Sequence, residues 1–116
     1  GNVLLTGAGR IKLADFGISA QGRSRMQTMI GTPCFLAPEI VSGDEEKGYT
    51  SKVDVWAVGI TIIYMAEGEP PYFQLNPMRA LFMISQAEAP RLAEPDKWSA
   101  ALVALTTELL TKDDNV

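Results

Sequence analysis

The chain has 116 residues, with 10 Lys and Arg against 14 Asp and Glu, and a formal net charge of −4 at pH 7. It contains no histidine and one cysteine, Cys34, which excludes Ser-His and Cys-His nucleophile pairs, His-ligated metal sites and an internal disulfide. The acidic balance argues against nucleic acid as a partner, and the single cysteine indicates a reducing, cytoplasmic compartment.

The first predicted element is a β-hairpin. Two short apolar runs, Val3-Leu4-Leu5 and Ile11-Lys12-Leu13, are joined by residues 6–9, whose two glycines suit a tight turn. The sequence starts without a methionine or a basic leader, so we expect it to be a piece of a longer protein.

A long loop is predicted next. From Asp15 to Leu36 the hydrophobic periodicity disappears, and Gly, Ser, Thr, Gln and Arg dominate. Loops beyond about 12–15 residues are usually functional or disordered, so this segment is a candidate functional loop. Residues 37–41 favour a short helix, and the charged residues 43–48 favour a solvated turn.

The central element is a predicted helix over residues 51–66. Its residues are apolar on nearly every face, and Gly68 occupies a C-cap position, so the pattern predicts a helix buried on all sides. The apolar stretch 53–66 contains Asp54 and Thr61 and is shorter than the roughly 18 apolar residues of a membrane helix. We therefore predict no bilayer span.

Two further helices follow. Asn76 and Pro77 form an N-cap and first-turn proline pair that predicts a helix through about Ser85. Ser99 starts another helix, to about Leu110, with Leu102, Leu105 and Leu109 on one face. One hairpin and the few other helices cannot easily cover a buried central helix. We therefore expect exposed apolar surface.

Three short motifs occur in a fixed order. Asp15-Phe16-Gly17 directly follows the second predicted strand, Asn2 lies thirteen residues before Asp15, and Ala37-Pro38-Glu39 begins twenty-two residues after it, preceded by Gly31-Thr32-Pro33. An Asp at the mouth of a hairpin suits a hard cation such as Mg²⁺, although Asp-x-Gly alone is more often a simple turn. The ordered set of Asn, Asp-Phe-Gly and Ala-Pro-Glu is a protein-kinase signature.

The chain therefore resembles the C-terminal lobe of a eukaryotic protein kinase over essentially all 116 residues. Residues 49–60 resemble the start of the family's buried central helix, and residues 65–72 and 76–82 are similar to the sterile-twenty-like, germinal-centre-kinase branch of serine/threonine kinases. The resemblance implies an α+β protein-kinase-like fold, represented here by a partial, mainly α-helical C-lobe with a short N-terminal β-hairpin. Residues 1–116 would then span the end of the catalytic loop, the activation segment, the central helix and the following two helices, without the N-lobe or the end of the C-lobe.

The resemblance also implies a nucleotide site. Asp15 would hold the Mg²⁺ that bridges the β- and γ-phosphates of ATP, and Asn2 would hold a second Mg²⁺, so both residues are the implied catalytic and metal-binding groups. Leu4 would form the floor under the adenine, with an ordinary strand residue as the alternative. Phe16 would pack beneath a helix of the N-lobe and report the active or inactive state.

Regulatory and substrate-binding residues are implied in the long loop. Thr28 resembles the activating phosphothreonine of the branch, and Ser24 is a second candidate whose alternative is an ordinary polar loop residue. Gly31-Thr32-Pro33 would bind substrate, and Thr32 favours Ser/Thr over Tyr acceptors. The implied partners are protein substrates, including other kinases, and an upstream activating kinase or autophosphorylation in trans.

Two structural carboxylates complete the implied set. Glu39 would pair with an arginine beyond the third helix, and Asp54 would brace the backbone of the catalytic loop. Phe35 stands where the branch usually has Trp. Tyr64 stands where many kinases of basic substrates carry a Glu that binds arginine, so selection of basic substrates by that carboxylate is not expected.

The leading hypothesis is an ATP- and Mg²⁺-dependent protein serine/threonine kinase of a signalling cascade. The catalytic Asp, the ATP-binding Lys and the Gly-rich loop would all precede Gly1, so the 116 residues alone are expected to be inactive. The alternative is a pseudokinase or regulatory scaffold that uses the C-lobe as a docking surface. A small helical domain with coincidental motifs is the third interpretation, and the intact Asn2 and Asp15 favour the kinase.

Overall fold

The computed structural model describes residues 3–14, 33–43 and 50–112. In chain order these residues form β1 (Val3–Leu5), β2 (Ile11–Leu13), α1 (Pro38–Ser42), α2 (Lys52–Glu67), α3 (Pro77–Gln86), a 3₁₀ helix (Pro95–Lys97) and α4 (Ala100–Leu109). The predicted fold class, mainly helical with a hairpin at the N-terminus, is confirmed. The 3₁₀ helix is the one element among the described residues that the sequence did not predict.

The β-hairpin has the predicted strands and turn. β1 and β2 are antiparallel, with Val3 opposite Leu13, Leu4 opposite Lys12 and Leu5 opposite Ile11. The turn closes because the N–H of Thr6 donates to the carbonyl of Arg10 at 2.8 Å, while Gly9 adopts a φ of +82° that most residues disfavour. A lone two-stranded hairpin is marginally stable in water, and the aliphatic side chains of this one are all exposed among the described residues.

The core lies between α2 and the segments that pack on one of its faces. Its cluster of buried apolar side chains is Ala37, Trp56, Ile60, Ile63, Leu92 and Leu110. The helix stops at Gly68, whose φ of +86° lets its N–H donate to the carbonyl of Tyr64 at 2.8 Å. α2 thus supplies three of the six core side chains.

The prediction that α2 is buried on all sides is wrong for the described structure. Trp56, Ile60 and Ile63 are buried, but Val55, Val58 and Met65 on other faces are exposed. The described elements pack against only one side of the helix, so the remaining apolar faces stay accessible. The expectation of exposed apolar surface is confirmed.

α3 and α4 begin at the predicted caps. The side-chain oxygen of Asn76 accepts from the N–H of Arg79 at 2.9 Å, and the hydroxyl of Ser99 accepts from the N–H of Leu102 at 3.1 Å. Both bonds satisfy amide donors that a helix N-terminus leaves without intrahelical partners.

The three leucines that helical spacing places on one face of α4 do not form its buried side, because Leu105 is exposed. Thr106 and Leu110 are buried instead, because α4 packs against α2 with the stripe that contains them. The Thr106 hydroxyl donates to the carbonyl of Leu102 at 2.8 Å, so this buried polar group is satisfied within its own helix.

The connection between α3 and α4 is fastened to the C-terminal end of α2 and to the core. The backbone N–H of Ala93 donates to a carboxylate oxygen of Glu67 at 2.6 Å, and Leu92 next to it is buried in the core. Within the described residues, no helix is both long enough and apolar enough to span a bilayer.

Candidate functional site

The hairpin places the start of β1 next to the end of β2. Since Val3 is paired with Leu13, the chain enters β1 and leaves β2 side by side. Asn2 immediately precedes Val3 in sequence, and Asp15 follows Leu13 by two residues. Asn2, Asp15 and Phe16 lie outside the described residues, so their metal-binding and regulatory roles stay predictions.

Leu4 lies in the middle of β1, opposite Lys12. Strand side chains alternate between faces, so Leu4 points away from the face that carries Val3 and Leu5. Its side chain is 52% exposed, which leaves an aliphatic surface available to a planar ring. The adenine-binding role of Leu4 stays a prediction, as does the alternative that it is an ordinary strand residue.

The end of the long loop is anchored in the protein. Pro33 and Cys34 are buried, and the N–H of Leu36 donates to the carbonyl of Pro33 at 3.0 Å, which forms a turn just before α1. Ala37 belongs to the core cluster, and α1 packs against α3. Residues 33–37 are therefore a fixed end point for the loop that precedes them.

The remaining loop residues of the implied site lie outside the described residues. These are Ser24, Thr28, Gly31 and Thr32. Their regulatory and substrate-binding roles stay predictions, and so does the substrate-binding role of Pro33.

An aromatic pair lies beside this anchored segment. The rings of Phe35 and Tyr64 meet edge to face, with centroids 6.1 Å apart and an interplanar angle of 88°. Such a pair contributes about 0.5–1.5 kcal/mol beyond its buried area. Sequence reasoning singled out both residues as departures from the kinase branch but did not predict that they touch. The surface they form is aromatic and uncharged.

Glu39 and Asp54 are both exposed carboxylates in the first turns of their helices, α1 and α2. A negative charge is favourable there because it faces the positive end of the helix dipole. No ion pair between described residues involves either of them. Their implied partners, an arginine and the catalytic loop, are not among the described residues, so the two bracing roles stay predictions.

Sequence reasoning missed a lysine that joins two helices. Lys112 follows α4, and its Nζ donates to the carbonyls of Ile84, at 2.8 Å, and Ala87 at the end of α3. Burial lowers the pKa of Lys112, because desolvation disfavours the charged ammonium. The sequence did carry one signal of this contact. The last turn of α3 has no basic residue, so its final carbonyls need hydrogen-bond donors from elsewhere in the chain.

Two further features of α2 were also missed. Gly59 is buried against Leu110, a contact that a glycine within an apolar helix could have signalled. The indole N–H of Trp56 is buried and has no hydrogen-bond partner in the part of the chain that the structure describes. Such a donor carries a desolvation cost of about 1–3 kcal/mol.

A recess of about 170 Å³ borders the core residue Leu92. It is lined by Arg91, Leu92, Pro95, Val103, Thr106 and Thr107. Arg91 donates to the hydroxyl of Thr107 at 3.1 Å across its rim. Small-molecule sites usually enclose about 300–1,000 Å³, so this recess is too small for a nucleotide, and none of the residues implied by the motifs line it.

Comparison with known proteins gives a consistent result. The family described as "Protein kinase domain" matches residues 1–116. Serine/threonine-protein kinase 4 homolog B of Dictyostelium discoideum is 48% identical over 118 residues, which cover 99% of this chain and 10% of that protein. Serine/threonine-protein kinase hippo of Drosophila melanogaster is 45% identical over 115 residues, which cover 97% of this chain and 17% of that protein.

A third relative, Serine/threonine-protein kinase 10 of Xenopus tropicalis, is 51% identical over 104 residues, which cover 85% of this chain and 11% of that protein. These relatives belong to the sterile-twenty-like, germinal-centre-kinase branch, so the resemblance drawn from the sequence is confirmed. The chain spans less than a fifth of the length of each of these three curated relatives.

Proposed function

This chain belongs to the protein kinase family, and we propose that it is part of a protein serine/threonine kinase that transfers the γ-phosphoryl group of MgATP to Ser or Thr of protein substrates. The observation that carries the proposal is the match of the kinase domain family to all 116 residues, together with close relatives that are themselves serine/threonine kinases. Phosphoryl transfer depends mainly on positioning and charge neutralisation, so the residues that matter are those that orient nucleotide and substrate.

The register of the hairpin supports a metal-binding role for Asn2 and Asp15. Val3 and Leu13 are paired, and the two proposed ligands precede and follow them closely in sequence. An amide and a carboxylate both offer the oxygen donors that Mg²⁺ prefers, so the donor set fits this metal. When bound, Mg²⁺ would supply neutralisation of the phosphate charge.

The other proposed roles rest on residues next to this edge and at the end of the long loop. Leu4 offers its exposed side chain to the adenine, and Phe16 senses the position of the N-lobe. Thr32 and Pro33 orient the acceptor residue, and Pro33 belongs to the anchored segment 33–37. Glu39 and Asp54 fix the activation segment and the catalytic loop.

Regulation is proposed to act on the long loop. Phosphate on Thr28, or on Ser24, adds nearly two negative charges and can order a loop by pairing with basic side chains. The phosphate would come from an upstream kinase or from a second copy acting in trans. The substrates include other protein kinases, and the cytoplasm is the proposed compartment because the sequence has one cysteine and so forms no internal disulfide.

The unit of activity is proposed to be the parent protein. This chain supplies the end of the catalytic loop, the activation segment and three C-lobe helices of a kinase domain, which makes it a partial domain. Without the base and phosphate clamp of the N-terminal part, the 116 residues alone are expected to be inactive.

The test is phosphate transfer from labelled ATP to a generic protein substrate by the parent protein, with Asp15→Asn as the variant. Removing the carboxylate ligand should lower the rate by about 100-fold or more, since it removes transition-state charge stabilisation. Asp96→Asn is the matched control, because Asp96 is exposed in the 3₁₀ helix and bears no predicted role.

Equal rates for wild type and Asp15→Asn would overturn the role of Asp15. A folded parent protein that transfers no phosphate, even with Thr28 phosphorylated, would contradict the kinase proposal. That result would favour the alternative, a pseudokinase or regulatory scaffold.

A further inference from the structure

We propose that the ring pair of Phe35 and Tyr64 is a specificity-determining subsite that selects an apolar side chain of the protein substrate, close to the Ser or Thr that receives phosphate. We call these two residues the aromatic subsite. The inference rests on the proposed kinase function, and it adds the chemical class of the substrate segment. It also assigns the selection to two side chains to which the proposed function gives no role.

The aromatic subsite begins in the same turn as a residue of the proposed substrate loop. Pro33 belongs to that loop, and the N–H of Leu36 donates to the carbonyl of Pro33 at 3.0 Å, so residues 33–36 form one turn. Phe35 lies in this turn, two residues after Pro33. A substrate segment that binds at Pro33 therefore passes within reach of the Phe35 ring.

Packing holds the aromatic subsite in one arrangement. Phe35 packs against the core cluster, and Tyr64 follows Ile63, which is buried in that cluster. The carbonyl of Tyr64 accepts the N–H of Gly68 at 2.8 Å, which fixes the backbone at this end of α2. The rings meet at 88°, an edge-to-face geometry that aromatic pairs prefer, and theirs is the one ring–ring contact within the described residues. The substrate thus meets a preorganised surface, which lowers the entropic cost of binding.

The chemistry of the aromatic subsite favours an apolar side chain over arginine. Phe35 and Tyr64 are uncharged, and Tyr64 stands where many kinases of basic substrates carry Glu. The carboxylate of Glu67, three residues further along α2, accepts from the N–H of Ala93 at 2.6 Å and is held at the α3–α4 connection. An arginine placed on the two rings would lose hydration without gaining an ion pair from them, whereas an apolar side chain gains by leaving water.

The test compares peptide substrates of the full-length parent protein. A set of Ser- and Thr-containing peptides is scanned one position at a time on either side of the acceptor, with Leu, Phe, Gln or Arg at the scanned position. At one position, kcat/KM of the wild type should be about tenfold higher for the Leu or Phe peptide than for the Arg peptide, since apolar pockets discriminate on this scale.

Variants of Tyr64 assign that preference to the aromatic subsite. Tyr64→Glu supplies a carboxylate and should reverse the preference at the same position, so that the Arg peptide becomes the better substrate. Tyr64→Phe keeps the ring and should keep the wild-type preference. Gln86→Glu is the matched control, because it adds one carboxylate at an exposed site on α3, outside the aromatic subsite, and should leave the preference unchanged. A merely structural role of Tyr64 would lower kcat/KM for all peptides alike and leave their ratio unchanged.

Three results would overturn the inference and leave the proposed function intact. They are a wild type that shows no preference for apolar peptides, a wild type that prefers Arg through cation–π contact with the rings, and a peptide ratio that Tyr64→Glu does not change or that Gln86→Glu changes equally. The wild-type comparison needs no variant, so poor folding of Tyr64→Glu does not remove the test. Absence of transfer to every peptide would instead overturn the proposed function, and the subsite with it.

Discussion

Gly59 of α2 lies directly against Leu110: a Cβ atom added to Gly59 would be 2.6 Å from Cγ of that leucine and 3.1 Å from Cβ of Leu109. Such approaches are far below van der Waals contact between carbon atoms, which is about 3.5–4.0 Å. The missing side chain of Gly59 thus allows α2 and α4 to pack closely enough to bury Leu110 in the core.

Gly59→Ala should destabilise the kinase domain. Alanine gains about 1 kcal/mol over glycine in helix propensity, but overpacking at a buried site costs about 1–3 kcal/mol, and Leu110 has little room to move. We expect a net loss, measured as a lower midpoint of thermal or denaturant unfolding.

Gly7→Ala is the matched control for this change, because a Cβ there meets no atom within 4 Å. In the double variant Gly59→Ala/Leu110→Ala, the effects should be less than additive, since the clash disappears with the leucine side chain. Strict additivity would contradict the contact.

Lys112→Met should loosen the end of α3. The variant keeps the aliphatic stem but removes the ammonium that donates to Ile84 and Ala87, so two carbonyls lose their donor. Unmade hydrogen bonds of this kind cost about 1–3 kcal/mol. Hydrogen exchange should accelerate at the amide of Ala87, which bonds to Met83 at the end of the helix.

Lys97→Met serves as the control for the lysine variant. Lys97 pairs with Glu94 at a largely exposed site, and such pairs contribute at most about 1 kcal/mol. Unchanged exchange of the α3 amides in Lys112→Met would show that the lysine does not secure this helix.

Asn76→Ala should destabilise α3 at its other end. The substitution removes the oxygen that accepts from the N–H of Arg79, and loss of an N-cap costs about 1 kcal/mol. Asn76→Ser should retain most of the stability, because serine is also a good N-cap. The measurement is the midpoint of thermal unfolding of the wild type and the two variants. Equal midpoints for the alanine and serine variants would argue against capping.

The partial burial of the Tyr72 phenol predicts that the protein loses stability at alkaline pH. Burial raises the pKa of the Tyr72 phenol above its usual value, because desolvation disfavours the phenolate. The folded state then holds the phenol proton more tightly than the unfolded state. The stability that Tyr72 contributes is therefore fully present below a pH of about 10, and it is lost as pH rises through the folded-state pKa.

Tyr72→Phe removes the ionisable phenol, so this variant should lack the pH-dependent part of the stability that comes from Tyr72. The measurement is the difference in unfolding free energy between wild type and variant at several pH values on either side of about 10. The wild type should lose stability relative to the variant as pH rises. A difference that does not change with pH would contradict the effect of burial on Tyr72.

The local signals in the sequence predicted most of the elements. Two short apolar runs and the glycines between them indicated the hairpin, Asn76-Pro77 and Ser99 marked helix starts, and Gly68 marked a helix end, all of which the structure confirms. These features depend on backbone conformations and hydrogen bonds within a few residues of each other, so they can be read from adjacent positions. The ordered motifs indicated the kinase family for the same reason, since they are defined by residue type and spacing.

Tertiary packing decided which faces of those elements are buried and which distant residues meet. Helical spacing grouped Leu102, Leu105 and Leu109, but the rotation of α4 against α2 buried Thr106 and Leu110. The Phe35–Tyr64 ring pair and the bond from Lys112 to Ile84 each join residues 28 or 29 positions apart. Contacts of that range depend on how helices orient in space, which the pattern within each helix does not specify.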